Sequence, residues 1–265
     1  MKERLAALVV LTCIFSAPSS WAAEQTLEVW VSGGLMPVIQ EIAPTYEHAK
    51  GVHLDIKAAP SMGVTPQSVP ERFAHHEKVD VLVMVDAGID PLIKQGWVDT
   101  ESRTPLAESY IGMAVPAGQP IPDISTPDKL KRVLLKARHV VYSDSASGRY
   151  ISGTLFKKLG IESEMKGKAE QIQATPVGSI VAQGKADIGF QQLSELNAVP
   201  GISIVGLLPK SVQKMTLYSG IESSDSQQKD ASSEFIQYLQ SKDVARVIET
   251  KGMKAVPSYT NLDVK

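Results

Sequence analysis

Two turns rich in serine and glycine carry the residues with the clearest chemistry in this sequence. The first reads SGGLMP at 32–37, after an apolar run, and the second reads SDSASGRY at 143–150, after another. A turn that leads from a strand into a helix presents unpaired N–H groups and a partial positive charge, and glycine lets a ligand approach closely. We therefore predict a small-anion site between the two turns. The predicted ligand contacts in them are Ser32, Gly33, Gly34, Ser145, Ser147, Gly148 and Arg149.

Arg149 makes a carboxylate the predicted anion. The planar guanidinium of arginine matches a carboxylate in a bidentate pair. An arginine in the first turn of a helix also opposes the positive end of the helix dipole unless an anion lies nearby. The alternative is a surface arginine that stacks on the neighbouring Tyr150.

Three other segments place polar side chains where predicted strands end. Ser61 and Met62 lie in the turn PSMGVTP at 60–66, and the mouth of an open α/β sheet is where such folds bind ligands. Gln191 ends a buried-type strand, where an amide needs hydrogen-bond partners or a cleft to face. Asp86 follows another apolar run and could also face the cleft. The alternatives are a tight surface loop at 60–66 and a helix cap at Asp86.

One cluster in the sequence resembles a metal site, and it is formed by His75, His76 and Glu77. Adjacent helical side chains point in different directions and no third ligand follows at the spacing of a zinc site, so we interpret the cluster as a solvated helix end. The sequence contains no phosphate loop, dinucleotide fingerprint or local Ser-His-Asp signature. We therefore expect neither a metal nor an organic cofactor.

The first 22 residues predict a secretory signal peptide. Lys2 and Arg4 precede an apolar stretch at 5–15 that is too short to span a bilayer, and small residues at positions 20 and 22 suit cleavage after Ala22. An uncleaved anchor is the alternative. The single cysteine, Cys13, lies in this segment, so the mature chain would lack disulfides and thiolate metal sites. An exported chain without disulfides suits the bacterial periplasm.

Composition excludes several classes of partner. The formal net charge is −2, aromatic residues make up 6% of the chain, and no basic patch is present, so we expect no nucleic-acid partner. No second apolar stretch reaches the length that a membrane-spanning helix needs.

Strand-like and helix-like segments alternate along the chain, which predicts an α/β protein with buried, largely parallel strands. Strands are predicted at 27–31, 53–58, 79–85, 112–115, 139–142, 188–191, 202–207 and 215–219. Helices are predicted at 35–49, 70–76, 90–95, 126–136, 153–159, 177–184, 232–239 and 241–251.

Four segments together resemble one known family. They are 31–43, 79–96, 142–161 and 178–196, the last of which ends in GKADIGFQQLSEL. In order and spacing they are similar to the molybdate-binding proteins of the type 2 periplasmic solute-binding fold. The resemblance implies two α/β lobes joined by two crossing strands, with a ligand cleft between the lobes. It implies lobe I at 23–108 plus 214–265, and lobe II at 109–213.

The sequence also departs from the molybdate binders. Their oxyanion site uses small hydroxyls, backbone N–H groups and a tyrosine. Ser32 and Ser61 match the hydroxyl positions, whereas Gln191 stands where the tyrosine is expected and Arg149 adds a full charge. These differences favour a larger ligand that carries carboxylates.

Within this family the chain is similar to the periplasmic aconitate isomerases. That resemblance implies an allylic proton shift between cis- and trans-aconitate without a cofactor, performed by a monomer. Arg149 and the turn N–H groups would stabilise the carbanion, and the base is left open among Tyr150, Asp86 and any histidine that faces the cleft. The alternative function is a binding protein that delivers a molybdate-like oxyanion or a small carboxylate to an ABC permease.

Overall fold

The computed structural model describes residues 25–257. The predicted signal peptide at 1–22, its cleavage after Ala22 and Cys13 lie outside the described residues.

Ten strands form the sheet framework of the described residues. They are β1 (Gln25–Val31), β2 (Val52–Ala58), β3 (Val81–Val85), β4 (Thr104–Pro116), β5 (Val140–Ser143), β6 (Ala169–Ile172), β7 (Ile188–Gln192), β8 (Ile202–Leu207), β9 (Met215–Glu222) and β10 (Lys254–Ala255). The strand order is β2-β1-β3-β9-β4-β7-β5-β6, and β8 and β10 both pair with β4.

Between residues 25 and 257, eleven α-helices cover this framework. They are α1 (Met36–Lys50), α2 (Val69–Ala74), α3 (Ile89–Lys94), α4 (Pro127–Lys136), α5 (Ala146–Tyr150), α6 (Phe156–Leu159), α7 (Glu162–Met165), α8 (Val177–Ala182), α9 (Leu193–Asn197), α10 (Lys229–Leu239) and α11 (Lys242–Thr250). A π-helical turn at Ile151–Leu155 joins α5 to α6, so the chain is helical without a break from Ala146 to Leu159.

The first lobe is built around parallel strands whose two faces are both buried. Along β1, Val29 and Val31 face one apolar cluster with α1, while Trp30 faces another with Leu82 and Met84 of β3. This alternation follows from the two-residue period of a strand, and it explains why the strands read as continuous apolar runs. The carboxyl ends of these strands meet at one edge, where the chain turns into its helices.

β4 connects the two lobes. Its first part, Thr104 to Tyr110, pairs antiparallel with β9, and its second part, Ile111 to Pro116, pairs with β7 and β8. The second lobe has its own core, in which Ile111 and Phe190 pack with helices α4 and α6. The chain is therefore two-lobed, as expected. The lobe limits at 109 and 213 stay a prediction.

Gln192 and Gln213 tie the crossing strands together. The Gln192 amide accepts a hydrogen bond from Ser109 at 2.9 Å and donates one to Thr216 at 3.0 Å, and all three side chains are buried. The side chain of Gln213 bonds both backbone groups of Ile111. These contacts satisfy polar groups at the point where the chain passes between lobes.

The structure extends several predicted elements. The segment 112–115 is part of the thirteen-residue β4, because its more polar first half is stabilised by pairing with β9. The helix predicted at 153–159 begins earlier, at Ala146, inside the second Ser/Gly turn. Two short strands, β6 and β10, and the short helices α7 and α9 are absent from the predicted set. Segments of two to five residues carry too little periodicity to be recognised.

Candidate functional site

A cavity of about 560 Å³ lies between the two lobes. It opens at the carboxyl ends of β1 and β2 on one side and of β5 and β7 on the other, which is the usual place for ligands in open α/β sheets. Six of the predicted contacts line it: Ser32, Gly33, Ser61, Met62, Ser145 and Gln191.

Two helices begin at the cavity without side-chain caps. Leu35 precedes α1 and Ser145 precedes α5, and neither side chain accepts a capping hydrogen bond. No acidic residue occupies the first turn of either helix. At α5 the N–H groups of Ala146, Ser147 and Gly148 donate to no backbone oxygen within residues 25–257, so they are left for an anion in the cavity. At α1, Met36 and Val38 donate to backbone oxygens and Pro37 has no N–H, so this helix offers the positive end of its dipole.

The glycine pair of the first turn makes room for side chains of the protein itself. A Cβ on Gly33 would lie 2.6 Å from Oε2 of Glu195, and a Cβ on Gly34 would lie 2.2 Å from the hydroxyl oxygen of Tyr218. Gly34 does not line the cavity. Gly34 therefore admits the Tyr218 ring, and the ligand contact at Gly34 stays a prediction.

Ser61 faces the cavity with a free proton donor. Its Oγ accepts a hydrogen bond from the backbone N–H of Val85 at 2.8 Å, so the hydroxyl hydrogen can point to a ligand. Met62 lies beside it on the cavity wall. The turn at 60–66 therefore lines the cavity with one polar residue, Ser61, and two apolar residues, Pro60 and Met62.

The second turn holds a cluster of hydroxyls. Ser143, Ser145 and Ser147 lie within 2.8–3.2 Å of one another through their Oγ atoms. Ser143 and Ser145 line the cavity, but Ser147 and Gly148 are buried behind it. A Cβ on Gly148 would lie 1.6 Å from the carbonyl oxygen of Ser143, so this glycine is required by close backbone packing. The Ser147 side chain and the Gly148 Cα thus support the turn, and the ligand contact at these two residues stays a prediction for their backbone N–H groups.

Arg149 lies at the rim of the cleft rather than on its wall. Its side chain is exposed, and Nη2 lies 3.7 Å from the position of a Cβ on Gly63 in the facing lobe. Tyr150 is directed elsewhere, because its hydroxyl donates to the backbone oxygen of Val212 at 2.8 Å. The structure therefore argues against Tyr150 as a catalytic residue and leaves Arg149 where it could reach a ligand at the entrance.

Asp86 is held in an ion pair outside the cavity lining. Its carboxylate accepts hydrogen bonds from Arg103 at 2.6 and 2.9 Å and from Ser219 at 2.7 Å. Burial acts to raise the pKa of Asp86, but the bonds from Arg103 and Ser219 outweigh it and hold the pKa below its ordinary value. A carboxylate with this low proton affinity and no free approach is unsuited to be the base. The expectation for Asp86 is therefore corrected to a structural role.

Glu195 and Tyr218 line the cavity, and neither is among the site residues predicted from the sequence. Glu195 lies in the first turn of the short α9, inside the segment LSEL, where the sequence suggests an ordinary solvated helix residue. Its spacing of four from Gln191 is the signal that could have drawn attention to it. Tyr218 lies on β9 of the first lobe and brings a phenol to the site from a part of the chain with no recognisable motif.

The cavity perturbs both of these groups. Burial raises the pKa of Glu195 to about 7, with the hydrogen bond from Gln191 opposing the rise and the charge of Asp144 adding to it. Burial and the neighbouring Glu195 raise the pKa of Tyr218 well above its ordinary value. The Tyr218 phenol therefore keeps its proton at neutral pH, whereas Glu195 can change its protonation state.

No lysine, arginine or histidine between residues 25 and 257 lines the cavity wall. The histidines that could have acted as bases lie elsewhere; His53, for example, contacts Glu47, and His139 contacts Glu170. Across the described part of the chain, no group of three or more His, Cys, Asp or Glu side chains is arranged to hold a metal.

Comparison with known proteins identifies the family. The sequence model of the family of bacterial extracellular solute-binding proteins matches residues 27–254. The chain belongs to this family. One relative, an aconitate isomerase from a Pseudomonas species, is 50% identical over 260 residues, which cover 97% of this chain and 99% of the relative.

Solved structures of solute-binding proteins share the fold. The periplasmic molybdate-binding protein of Azotobacter vinelandii superposes with a TM-score of 0.70 at 19% identity, over 88% of this chain and all of its own. The sulfate-binding protein SubI of Mycobacterium tuberculosis gives 0.69 at 15% identity, over 88% and 87% of the two chains. The predicted two-lobed periplasmic-binding fold is therefore confirmed. Within residues 25–257, this family member contains no helix with the length and apolar character of a membrane span.

Proposed function

We propose that the chain is an isomerase that interconverts cis- and trans-aconitate without a cofactor. The reaction moves one proton and one double bond along a three-carbon unit, so it requires firm binding of three carboxylates and a group that handles protons. The 50% identity to an aconitate isomerase over almost the whole chain supports this reaction. The observation that carries the proposal is the set of anion donors from both lobes around one cavity.

Those donors can be assigned to the carboxylates of a single ligand. Ser32 and Ser61 would offer one group of hydroxyl donors beside the positive end of α1. The start of α5 with Ser145 would offer a second group, of hydroxyl and backbone donors, from the other lobe. Arg149 at the rim would reach a third carboxylate with its guanidinium. Binding would therefore draw on both lobes at once and favour the closed cleft.

The size of the cavity favours a tricarboxylate over a simple oxyanion. Cavities of about 300–1,000 Å³ suit small organic ligands, and the value here is 560 Å³. A tetrahedral oxyanion would leave most of that volume empty and would not reach donors on both lobes. Apolar side chains such as Met62 and Val199 would contact the carbon skeleton of the ligand instead.

The second candidate is a binding protein for an ABC permease that carries a small carboxylate or a molybdate-like oxyanion. The family and the fold favour it, because both are shared with binding proteins. Under either function we propose a periplasmic monomer with residues 1–22 removed, lobe I at 23–108 plus 214–265, and lobe II at 109–213.

One assay separates the two candidates. Purified protein is incubated with cis-aconitate, and in a second reaction with trans-aconitate, and the isomers are separated by chromatography. We expect both reactions to reach the same mixture. Binding of both isomers without conversion would favour the permease-linked function. A parallel thermal-shift titration should show stabilisation by aconitate and none by molybdate, because only a bound ligand raises the melting temperature.

A further inference from the structure

We propose that Glu195 is the catalytic residue that carries the proton between the two carbons of the substrate. The inference rests on the proposed function and adds the group that performs its central step. It starts from a conflict in the site: a cavity furnished with anion donors is also lined by two carboxyl residues, Asp144 and Glu195. Asp144 accepts a hydrogen bond from the Ala174 N–H within its own lobe, whereas Glu195 reaches across to Gly33 of the other lobe. Such a group repels a bound anion unless it is protonated or reacts with it.

The position of Glu195 depends on both lobes. Its helix, α9, belongs to the second lobe, and its Oε2 lies against Gly33 of the first. The neighbouring Ser194 donates a buried hydrogen bond of 2.7 Å to the carbonyl oxygen of Gly34. This bond fastens the start of α9 to the first Ser/Gly turn, so the carboxyl is enclosed when the lobes meet.

Gln191 orients the carboxyl within the cavity. The side-chain oxygen of Gln191 accepts a hydrogen bond from the Val177 N–H at 2.9 Å, which fixes the amide so that its nitrogen donates to Oε2 of Glu195 at 2.6 Å. Within residues 25–257, Oε1 receives no hydrogen bond. Oε2 is therefore held by Gln191, and Oε1 is available to take a proton from a substrate carbon.

The step balances with no other reactant. The Glu195 carboxylate takes a proton from the substrate methylene, and the electron pair of the broken C–H bond spreads over the allylic system and its carboxylates. The carboxylic acid so formed then gives the proton to the other terminal carbon, where a new C–H bond forms and the double bond completes its shift. Glu195 ends as a carboxylate, and nothing is oxidised or reduced.

The groups that face Glu195 suit this exchange. Tyr218 from β9 stays protonated and can donate to the developing negative charge, and Asp144 from the second turn raises the proton affinity of Glu195. Gln191 is neutral, and the cation nearest the cleft, Arg149, lies at the rim. Because the carboxylate form is the base, kcat/KM should rise with pH through an apparent pKa near 7 and then level off.

The test compares Glu195→Gln with the matched control Glu164→Gln. Glu164 is an exposed residue of the same lobe. We expect Glu195→Gln to lose about 10²–10⁴-fold in kcat, the usual contribution of a general base, while cis-aconitate still raises its melting temperature. The control should keep the activity of the parent. In Glu195→Ala, added formate should restore part of the activity, which a purely structural role would not allow.

The outcomes separate this inference from the proposed function. Full activity of Glu195→Gln beside an active parent would overturn the role of Glu195 and leave the isomerase intact. A parent that binds aconitate without converting it would overturn both. If Glu195→Gln fails to fold by circular dichroism, Glu195→Asp replaces it, and its shorter side chain should lower kcat about tenfold or more; unchanged kcat would overturn the role.

Discussion

Replacing Glu195 by Gln should stabilise the protein at alkaline pH and have little effect in acid. The pKa of this carboxyl lies near 7 in the folded protein and near 4.5 in an unfolded chain. Between these values the folded state holds a proton that the unfolded state has lost. Ionisation therefore costs stability as the pH rises through this range, and a neutral amide avoids that cost.

The magnitude follows from the pKa values. At about 1.4 kcal/mol per pKa unit, the gain in the free energy of unfolding of Glu195→Gln has an upper limit of about 3 kcal/mol at pH 8. Glu195 faces a cavity that opens to solvent, which screens part of this effect, so we expect about 1–2 kcal/mol. Gln191 can still donate to the amide oxygen of the new residue, so the Gln variant should lose no buried partner.

Urea unfolding at pH 5, 6, 7 and 8, followed by tryptophan fluorescence, measures this difference. The advantage of Glu195→Gln over the parent should grow from about a quarter of its maximum at pH 5, just above the pKa in the unfolded chain, to nearly its maximum at pH 8. Glu164→Gln should show no trend. A difference that does not change with pH would refute the reasoning, because it would mean that the carboxyl is fully solvated in the unliganded protein.

Three further substitutions test the surroundings of the cleft. Gly34→Ala should lower the free energy of unfolding by about 1–3 kcal/mol, because its Cβ would collide with the Tyr218 phenol; an unchanged urea midpoint would contradict this packing. Arg149→Ala should weaken trans-aconitate binding at least about tenfold in calorimetry and change stability by less than about 0.5 kcal/mol, and undiminished affinity would remove Arg149 from the site. Asp86→Asn should lower the free energy of unfolding by about 1–3 kcal/mol at pH 7, because it breaks the ion pair with Arg103. This loss should vanish in acid, where the parent carboxylate is protonated as well. Isomerase activity at pH 7 should be retained.

Elements with strong local patterns were predictable from the sequence. The continuous apolar run of β1 indicates a strand buried on both faces, and the Ser/Gly turn after it indicates a helix start open to a ligand. Ser32 and Ser61 could be placed at the site for the same reason, since the carboxyl ends of parallel strands share one edge. The fold was predictable from the order and spacing of the four segments that resemble the family. Order and spacing can be read from the sequence without knowing how any side chain is oriented.

The direction of individual side chains was not predictable. Tyr150 and Asp86 stand at suitable places in the sequence, but each is taken up by a partner from a distant segment, Val212 and Arg103 respectively. The sequence predicts a ligand contact at Gly34, but it gives no sign that Gly34 makes room for the Tyr218 ring. In each case the deciding contact joins residues that no local pattern relates.

The sequence by itself thus determined the α/β class, the two turns at the cleft and the anionic character of the ligand they would suit, because these depend on periodicity, glycine and helix starts within short segments. Only the tertiary structure decided which carboxyl residues line the cavity. Ser194 meets Gly34 across 160 residues of chain, and this contact helps to bury Glu195 between the lobes. A pKa near 7 arises from that enclosure, since burial depends on the packing of both lobes and leaves no trace in the segment LSEL.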